Sequence, residues 1–335
     1  MHTYSRLLVP FITSIARECD VRALDAAALR IHQKYTGSSV RPLEGMAEHV
    51  AYVACRMPAT FAATLQALNH LKQVIPTFAP ASVLDIGTGP GTALYSSMLT
   101  FPTIGRGLGV ERSAEFCALS EQLFASIPSM ASSCSVIRGD LERAGNVEGS
   151  FDLMTSAYVL GELSEKSQDR WLAFAKERSK VLVLVEPGTP AGWQCLMRCR
   201  DILLSQGAAI LAPCPHSKPC PFVGTDVWCH EAVRLPRTAL HRRLKGGQLG
   251  YEDEKLSYLA VTFDPLLPKV VPPCRIVHAP RNRHGHTHLV LCTFRGCLEP
   301  TIISRKYKEL YRMAREAEWG DSLPEMKENW VIPQQ

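Results

Sequence analysis

Val83-Leu84-Asp85-Ile86-Gly87-Thr88-Gly89-Pro90-Gly91-Thr92 reads as a short buried strand that runs into a glycine-rich turn and then a helix. Val83, Leu84 and Ile86 supply the apolar strand. The three glycines let the backbone turn tightly and approach a ligand with no Cβ in the way. The helix expected from Thr92 to Leu99 turns its first amide hydrogens toward that ligand. A glycine pattern alone is equally a structural turn. Here a second apolar strand, Gly107-Leu108-Gly109-Val110, ends in Glu111, about 20 residues beyond the last glycine. A carboxylate at that distance can accept hydrogen bonds from both ribose hydroxyls of a nucleoside ligand.

The run from Asp85 to Gly91 resembles motif I of the seven-stranded S-adenosylmethionine-dependent methyltransferases, D/E-x-G-x-G-x-G, more than a dinucleotide dehydrogenase loop. The resemblance implies an α/β fold with a Rossmann-like seven-stranded sheet. It implies S-adenosylmethionine held by Asp85, Gly87, Gly89, Gly91 and Glu111. Ser135-Val136-Ile137-Arg138-Gly139-Asp140 looks like the third strand, with Asp140 near the adenine amine. Phe151 to Ser156 looks like the fourth.

The chain has 335 residues, 46% apolar and 21% charged, which describes an ordinary folded protein of one large domain with appendages or two modest ones. A net charge of +5 permits an RNA partner without arguing for one. No apolar run is long enough to span a bilayer, and Met1 to Arg17 reads as a first helix rather than a targeting segment. Twelve cysteines without a signal peptide point to a reducing compartment, with thiols free, buried or metal-bound.

Residues 1–78 read as a helical region, with helices over Arg22 to Tyr35 and Pro58 to Val74. Pro58 suits a first turn there, and the apolar stripe suits packing against a sheet. Residues 79–300 read as the methyltransferase-like domain, with strands and helices alternating to about residue 190. Val181 to Val185 forms a fifth strand buried on both faces. Residues 191–250, rich in Cys, Pro, His and Arg, read as a metal-binding insertion between strands five and six. Leu256 to Phe263 and Thr287 to Phe294 are then strands six and seven. Residues 301–335 form a basic C-terminal helix and tail, either a solvated face or an RNA-facing one.

Within the insertion, Cys214, Cys220 and Cys229 are spaced C-x5-C-x8-C between prolines that stiffen the loop. Three thiolates on one centre bind zinc or an iron–sulfur cluster. Buried thiols are the plainer alternative. Cys292, near the end of the last strand, is the chosen fourth ligand; Cys274, Cys297, His216 and His230 compete for that role. Cys195 and Cys199 lie four apart on an expected helix and share one face.

The segment from Cys214 to Tyr258 resembles the methyltransferase-like family of small-ribosomal-subunit assembly proteins of bacteria and mitochondria. The matching motifs are Cys214-Pro215-His216, Cys220-Pro221, Trp228-Cys229-His230, His241 to Gly246 and Leu249 to Tyr258. Tyr158 to Leu163 and the Tyr311 to Asp321 pattern look like it too. The family implies a four-iron, four-sulfur cluster on Cys214, Cys220, Cys229 and Cys292, and a partnership with the small ribosomal subunit and its rRNA. The expectation is a protein off the membrane, monomeric away from the ribosome, in bacterial cytoplasm, with the mitochondrial matrix as alternative. Arg234, Arg237, Arg242, Arg243 and Lys245 either meet rRNA phosphates or pair with Glu252, Asp253 and Glu254.

Catalytic residues are not declared. Ser156-Ala157-Tyr158-Val159 stands where amine methylation of a base commonly uses an Asp/Asn-Pro-Pro-aromatic run. Three functions are consistent with this: an assembly factor with little or no catalysis, an active rRNA methyltransferase, or a zinc-dependent RNA-binding module with a vestigial cofactor site.

Overall fold

The computed structural model describes residues 7–36, 42–139 and 147–324. In chain order its elements are α1 (Val9–Arg17), α2 (Val21–Thr36), α3 (Gly45–Val74), β1 (Ser82–Ile86), α4 (Thr92–Thr100), β2 (Arg106–Glu111), α5 (Ala114–Ser126), α6 (Pro128–Ala131), β3 (Cys134–Arg138) and β4 (Phe151–Ala157). These are followed by α7 (Glu165–Arg178), β5 (Ser179–Pro187), α8 (Pro190–Ser205), β6 (Ala209–Ala212), β7 (Glu231–Pro236), α9 (Ala239–Lys245) and β8 (Tyr251–Thr262). The last are β9 (Cys274–Ile276), β10 (Arg281–Arg283), β11 (His286–Thr293), β12 (Leu298–Ser304) and α10 (Lys308–Glu316). The architecture is α/β, with a mostly parallel central sheet. That sheet has eight strands rather than the expected seven.

The chain divides into two compact units. The first comprises Met1–Gln66, Ala79–Val159 and Val233–Glu254. Its strands run β3-β2-β1-β4, all parallel, with Val83 opposite Gly107 on one side and Leu153 on the other. Val83, Leu84 and Ile86 are buried, as an apolar strand covered on both faces must be. Strand order reverses beside β1, which opens a crevice at the carboxyl ends of β1 and β4. Pro58 does not start a helix; it lies inside the 30-residue α3. Proline there removes one backbone hydrogen bond, and burial of Val53, Ala54, Met57 and Phe61 around it offsets the loss.

The basic stretch before β8 is largely spent inside this unit. Arg234 grips Asp253 through two hydrogen bonds of 2.7 and 2.8 Å. Arg237 and Lys245 converge on Glu252 Oε2, each at 2.7 Å, and Arg243 meets Asp25 at 3.2 Å. Only Arg242 of the five is left exposed without such a pair among the described residues. His241 is 1% exposed, and neither ring nitrogen has a hydrogen-bond partner. Burial, opposed by Glu252, lowers its pKa to about 4. The unfolded chain therefore takes up a proton that the folded one excludes. Stability is complete above pH 6.5 and falls as pH drops toward 4, by up to about 3 kcal/mol. His241→Gln is expected to flatten that slope in urea titrations from pH 7 to 4.5; an unchanged slope counts against a neutral buried His241.

The second unit comprises Ala67–Phe78, Leu160–Ala232 and Lys255–Gln335. Here β8 lies antiparallel between β5 and β6, from Val181 opposite Thr262 to Pro187 opposite Leu256. Two strand expectations are corrected. Thr287 to Phe294 falls in β11, which belongs to a separate four-stranded antiparallel sheet with β9, β10 and β12. The sixth strand is β6, a four-residue buried segment inside the supposed insertion. The cysteine loop thus follows β6 rather than lying wholly between strands five and six. Leu310 and Ala314 of α10 seal the second sheet against Ile276, Leu289, Leu291 and Ile303.

Candidate functional site

The glycine loop forms a pocket in the first unit. Asp85, Gly87, Thr88, Gly89 and Pro90 line it from β1 and the turn, Ala157 from β4, and Tyr52, Met57 and Thr60 from α3. Asp85 is 1% exposed and serves as an internal brace. Its two carboxylate oxygens accept from Thr88 Oγ1 at 2.6 Å and Thr155 Oγ1 at 2.7 Å, tying the turn to β4. Burial raises its pKa to about 6 against those hydrogen bonds.

Glu111, at the end of β2, braces the turn through Gly89. Its Oε2 accepts from the Gly89 amide at 3.0 Å and its Oε1 from the Ser113 amide at 2.8 Å. Ser113 also meets His49 Nε2 of α3 at 3.0 Å. Asp140 lies outside the described residues.

Gly87 and Gly89 differ in what they tolerate. Both have positive φ, +66° and +53°. A Cβ on Gly87 would stand 2.5 Å from Val159 Cγ2, whereas one on Gly89 meets nothing within 4 Å and projects into open space. Gly87→Ala is expected to destabilise by about 1–3 kcal/mol. If a ligand lies against this turn, Gly89→Arg is expected to exclude it, because the side chain fills the open space there; unaltered S-adenosylmethionine affinity by calorimetry would place that cofactor elsewhere.

The segment after β4 is anchored. Tyr158 adopts φ +61°, an uncommon conformation for a bulky residue. Its hydroxyl donates to Glu254 Oε1 at 2.9 Å, and the same oxygen accepts from Arg56 Nη2 at 3.1 Å.

In the second unit, Cys214, Cys220, Cys229 and Cys292 line one cavity, with His216, His230, Trp193 and Arg275 among its walls. The loop is held in place by its neighbours. Arg200, 2% exposed, donates to the carbonyls of His216 and Lys218. Trp228 Nε1 donates to Gly188 O at 3.0 Å, and Ser257 Oγ to Cys229 O at 2.9 Å. Burial raises the thiol pKa of Cys220 and Cys292 and pushes Cys229 up to about 12; Cys292 and Cys229 also feel the other cavity thiols.

The competing ligands lie differently. Cys274 is buried in the second-sheet core and its thiol contacts Leu323 O at 3.7 Å. Cys297 is exposed beside Thr293 and Glu299. His216 Nε2 stands 3.4 Å from Cys292 Sγ. Among the described residues, no three His, Cys, Asp or Glu side chains close around one point tightly enough for a single metal ion.

Sequence reasoning missed Arg275. It is 5% exposed, donates to Glu231 Oε2 at 2.9 Å, and its charge lowers Cys229 and Cys292 against their burial. Nothing local marks a single arginine between Cys274 and Ile276 as a cavity residue. Tyr52, Met57 and Thr60 were missed as pocket residues because their helix carries an ordinary apolar stripe.

The chain matches, over residues 46–324, the family described as mitochondrial small ribosomal subunit Rsm22. It is 28% identical over 306 residues to the human ribosome assembly protein METTL17, mitochondrial, covering 82% of this chain and 62% of that one. It is 27% identical over 331 residues to the Rsm22-cox11 tandem protein 2, mitochondrial, of Schizosaccharomyces pombe, covering 82% of this chain and 43% of that one. The chain thus spans less than two thirds of the length of these relatives. Among solved structures, a ribosomal protein L11 methylase from Lactobacillus delbrueckii overlaps with a TM-score of 0.37 at 14% identity, over 60% of this chain and 77% of that one. With the family match extending across most of the chain, this protein belongs to the Rsm22 family of mitochondrial small-ribosomal-subunit proteins.

Proposed function

We propose that this chain is an assembly factor of the small ribosomal subunit that binds S-adenosylmethionine and an iron–sulfur cluster and contacts rRNA, with little or no methyl transfer. The observation that carries the small-subunit role is the family match from residue 46 to 324, and the human relative's name, a ribosome assembly protein, supports assembly as that role. The mitochondrial names of both relatives support the matrix as its compartment; the bacterial cytoplasm expected from sequence finds no support in them. No described helix is long and apolar enough to cross a membrane.

S-adenosylmethionine suits the first pocket. The open space over Gly89 accepts a ligand against the backbone, and Glu111 offers two carboxylate oxygens once its hydrogen bonds to Gly89 and Ser113 exchange for ribose hydroxyls. The end of β4 supports low catalysis: Tyr158 is committed to Glu254 and Arg56, and Ser156-Ala157-Tyr158-Val159 holds no carboxamide or carboxylate.

The cysteine cavity suits a cluster better than a lone zinc ion. Zinc needs four ligands, with each sulfur about 2.3 Å from one point, which the thiols do not approach. A four-iron cluster takes one cysteine per iron and so accepts sulfurs spread around a cavity. Such a group supplies positive charge that deprotonates thiols otherwise held neutral by burial. Cys214, Cys220, Cys229 and Cys292 would hold it, with Arg275 adding a fixed positive charge.

The rRNA contact is assigned to α10 and the turn before it. Arg305, Lys306, Lys308, Arg312 and Arg315 are exposed there, while Leu310 and Ala314 of the same helix are buried. Charges on that face are free to displace counterions from phosphates.

The test is methyl transfer from labelled S-adenosylmethionine to small subunits lacking this protein, with the protein purified anaerobically. Binding to the immature subunit without label is the expected result. Label at one rRNA position, lost with Gly89→Arg, would make the chain an active rRNA methyltransferase. Stoichiometric zinc without iron would favour the zinc-dependent module.

A further inference from the structure

Helix α8 has a second face that the sites above do not use. Trp193, Leu196 and Met197 line the cysteine cavity. Cys195 instead opens on a separate cavity with Glu165, Gln168, Glu186 and Arg198. Cys199, one turn further along the same face, is fully buried.

The surroundings of Cys195 are held in place. Gln168 Nε2 donates to Leu160 O at 2.9 Å and approaches Cys195 Sγ at 3.5 Å. Gln168 Oε1 accepts from Arg198 Nη1 at 3.1 Å, and Arg198 is held in turn by Asp169 at a salt-bridge distance of 2.5 Å. Cys195 is half-buried at the cavity, whereas Cys199 is fully buried one helical turn along α8. The neighbouring Cys199 thiol, with Arg198 and Gln168, lowers the Cys195 pKa against burial. The nearby Cys195 sulfur, followed by burial, raises Cys199. The result is an asymmetric pair, with one sulfur at an open cavity beside Arg198 and Gln168 and the other shut away from it.

We propose that Cys195 and Cys199 form a peroxide-reactive dithiol, with Cys195 as the attacking thiol and Cys199 as the resolving thiol. The Cys195 thiolate attacks one oxygen of hydrogen peroxide. An S–O bond forms, the O–O bond breaks, and hydroxide leaves to become water on gaining the thiol's proton. Cys195 is oxidised to the sulfenic acid and the peroxide is reduced. Cys199 then attacks the Cys195 sulfur. The S–S bond forms, the S–O bond breaks, and the leaving hydroxide takes the Cys199 proton, giving a second water. Residues four apart on a helix hold their Cβ atoms about 5–6 Å apart, against about 3.5–4.5 Å in a disulfide. The closed form therefore bends α8, and strain of that kind makes a disulfide readily reducible. Oxidation at this pair is reversible by thiols.

The experiment titrates the full chain, purified anaerobically, with hydrogen peroxide, then blocks free thiols with N-ethylmaleimide and reads each cysteine by mass spectrometry. Exposed Cys297 is the internal reference. Cys195 and Cys199 are expected to become linked at peroxide concentrations at least tenfold below those that modify Cys297. Cys199→Ser is expected to leave Cys195 as a sulfenic acid captured by dimedone, and Arg198→Gln to slow the reaction severalfold. Oxidation of Cys195 no faster than Cys297, or no dimedone adduct in a folded Cys199→Ser protein, overturns the proposal. If Cys199→Ser does not fold, the linkage in the unsubstituted chain decides alone.

Discussion

Glu231→Ala is expected to cost about 3–5 kcal/mol of stability, a large share of the about 5–15 kcal/mol that holds a typical domain. Glu231 is fully buried at the start of β7, and its Oε2 accepts from Arg275 Nη2 at 2.9 Å. Arg275 is 5% exposed, and its Nε donates to Gly320 O at 3.2 Å. Removing the carboxylate leaves a guanidinium that cannot lose its proton stranded in low dielectric. His70 is drawn in as well. Its Nδ1 lies 3.6 Å from Glu231 Oε1 and 2.9 Å from the Tyr258 hydroxyl.

Urea denaturation measures the loss. A change below about 1 kcal/mol would show that water reaches Arg275 and that the pair contributes little. The double substitution Glu231→Leu with Arg275→Met removes both charges together and is expected to recover most of the loss. That recovery would separate the cost of an unpaired charge from the cost of a cavity.

Much of the main sheet was legible in the sequence because its signals are local. β1, the turn and β2 announce themselves by an apolar run, three glycines and an acid at a set distance. The helix from Glu165 and the strand from Val181 follow from unbroken periodicity, and α7 and β5 match them. What failed was pairing. Thr287 to Phe294 has the composition of a strand, but nothing in it says that its partners are β9, β10 and β12. Ala209–Ala212 is too short, between Gly207 and Pro213, to stand out as a strand, so the edge of the main sheet was read as insertion.

The candidate sites divide the same way. Cys214, Cys220 and Cys229 stand out by residue type and spacing and Cys292 by its place near a strand end, and the four line one cavity. The charges around Cys229 and Cys292 come from Arg275, which is 46 positions from the first and 17 from the second and signals its role only through burial. The mixed-charge stretch from Arg234 could be read either as an RNA face or as an internal network. Only the side-chain geometry, with Glu252 receiving both Arg237 and Lys245, gives weight to the network.

Cys220→Ser is expected to abolish the iron and sulfide content of anaerobically purified protein and to lower its melting temperature. The reading of the cavity as a cluster site supplies the reason. Cys220 packs with Trp193, Phe222, Val277 and Cys292, so the loop that carries it is also part of a small apolar core. A group bound only by the folded state adds its binding free energy to folding. With one of four thiolate ligands gone, that contribution falls by on the order of several kcal/mol. Serine also leaves a hydroxyl in an apolar wall, at about 1–3 kcal/mol if it finds no partner. Two controls separate these effects. Cys297→Ser, at an exposed site, is expected to change neither iron content nor melting temperature. Cys274→Ser disturbs the second-sheet core and is expected to lower the melting temperature while iron content per folded molecule stays constant. Iron retained in Cys220→Ser would remove Cys220 from the ligand set, and iron lost in Cys297→Ser would move the fourth ligand from Cys292 to Cys297.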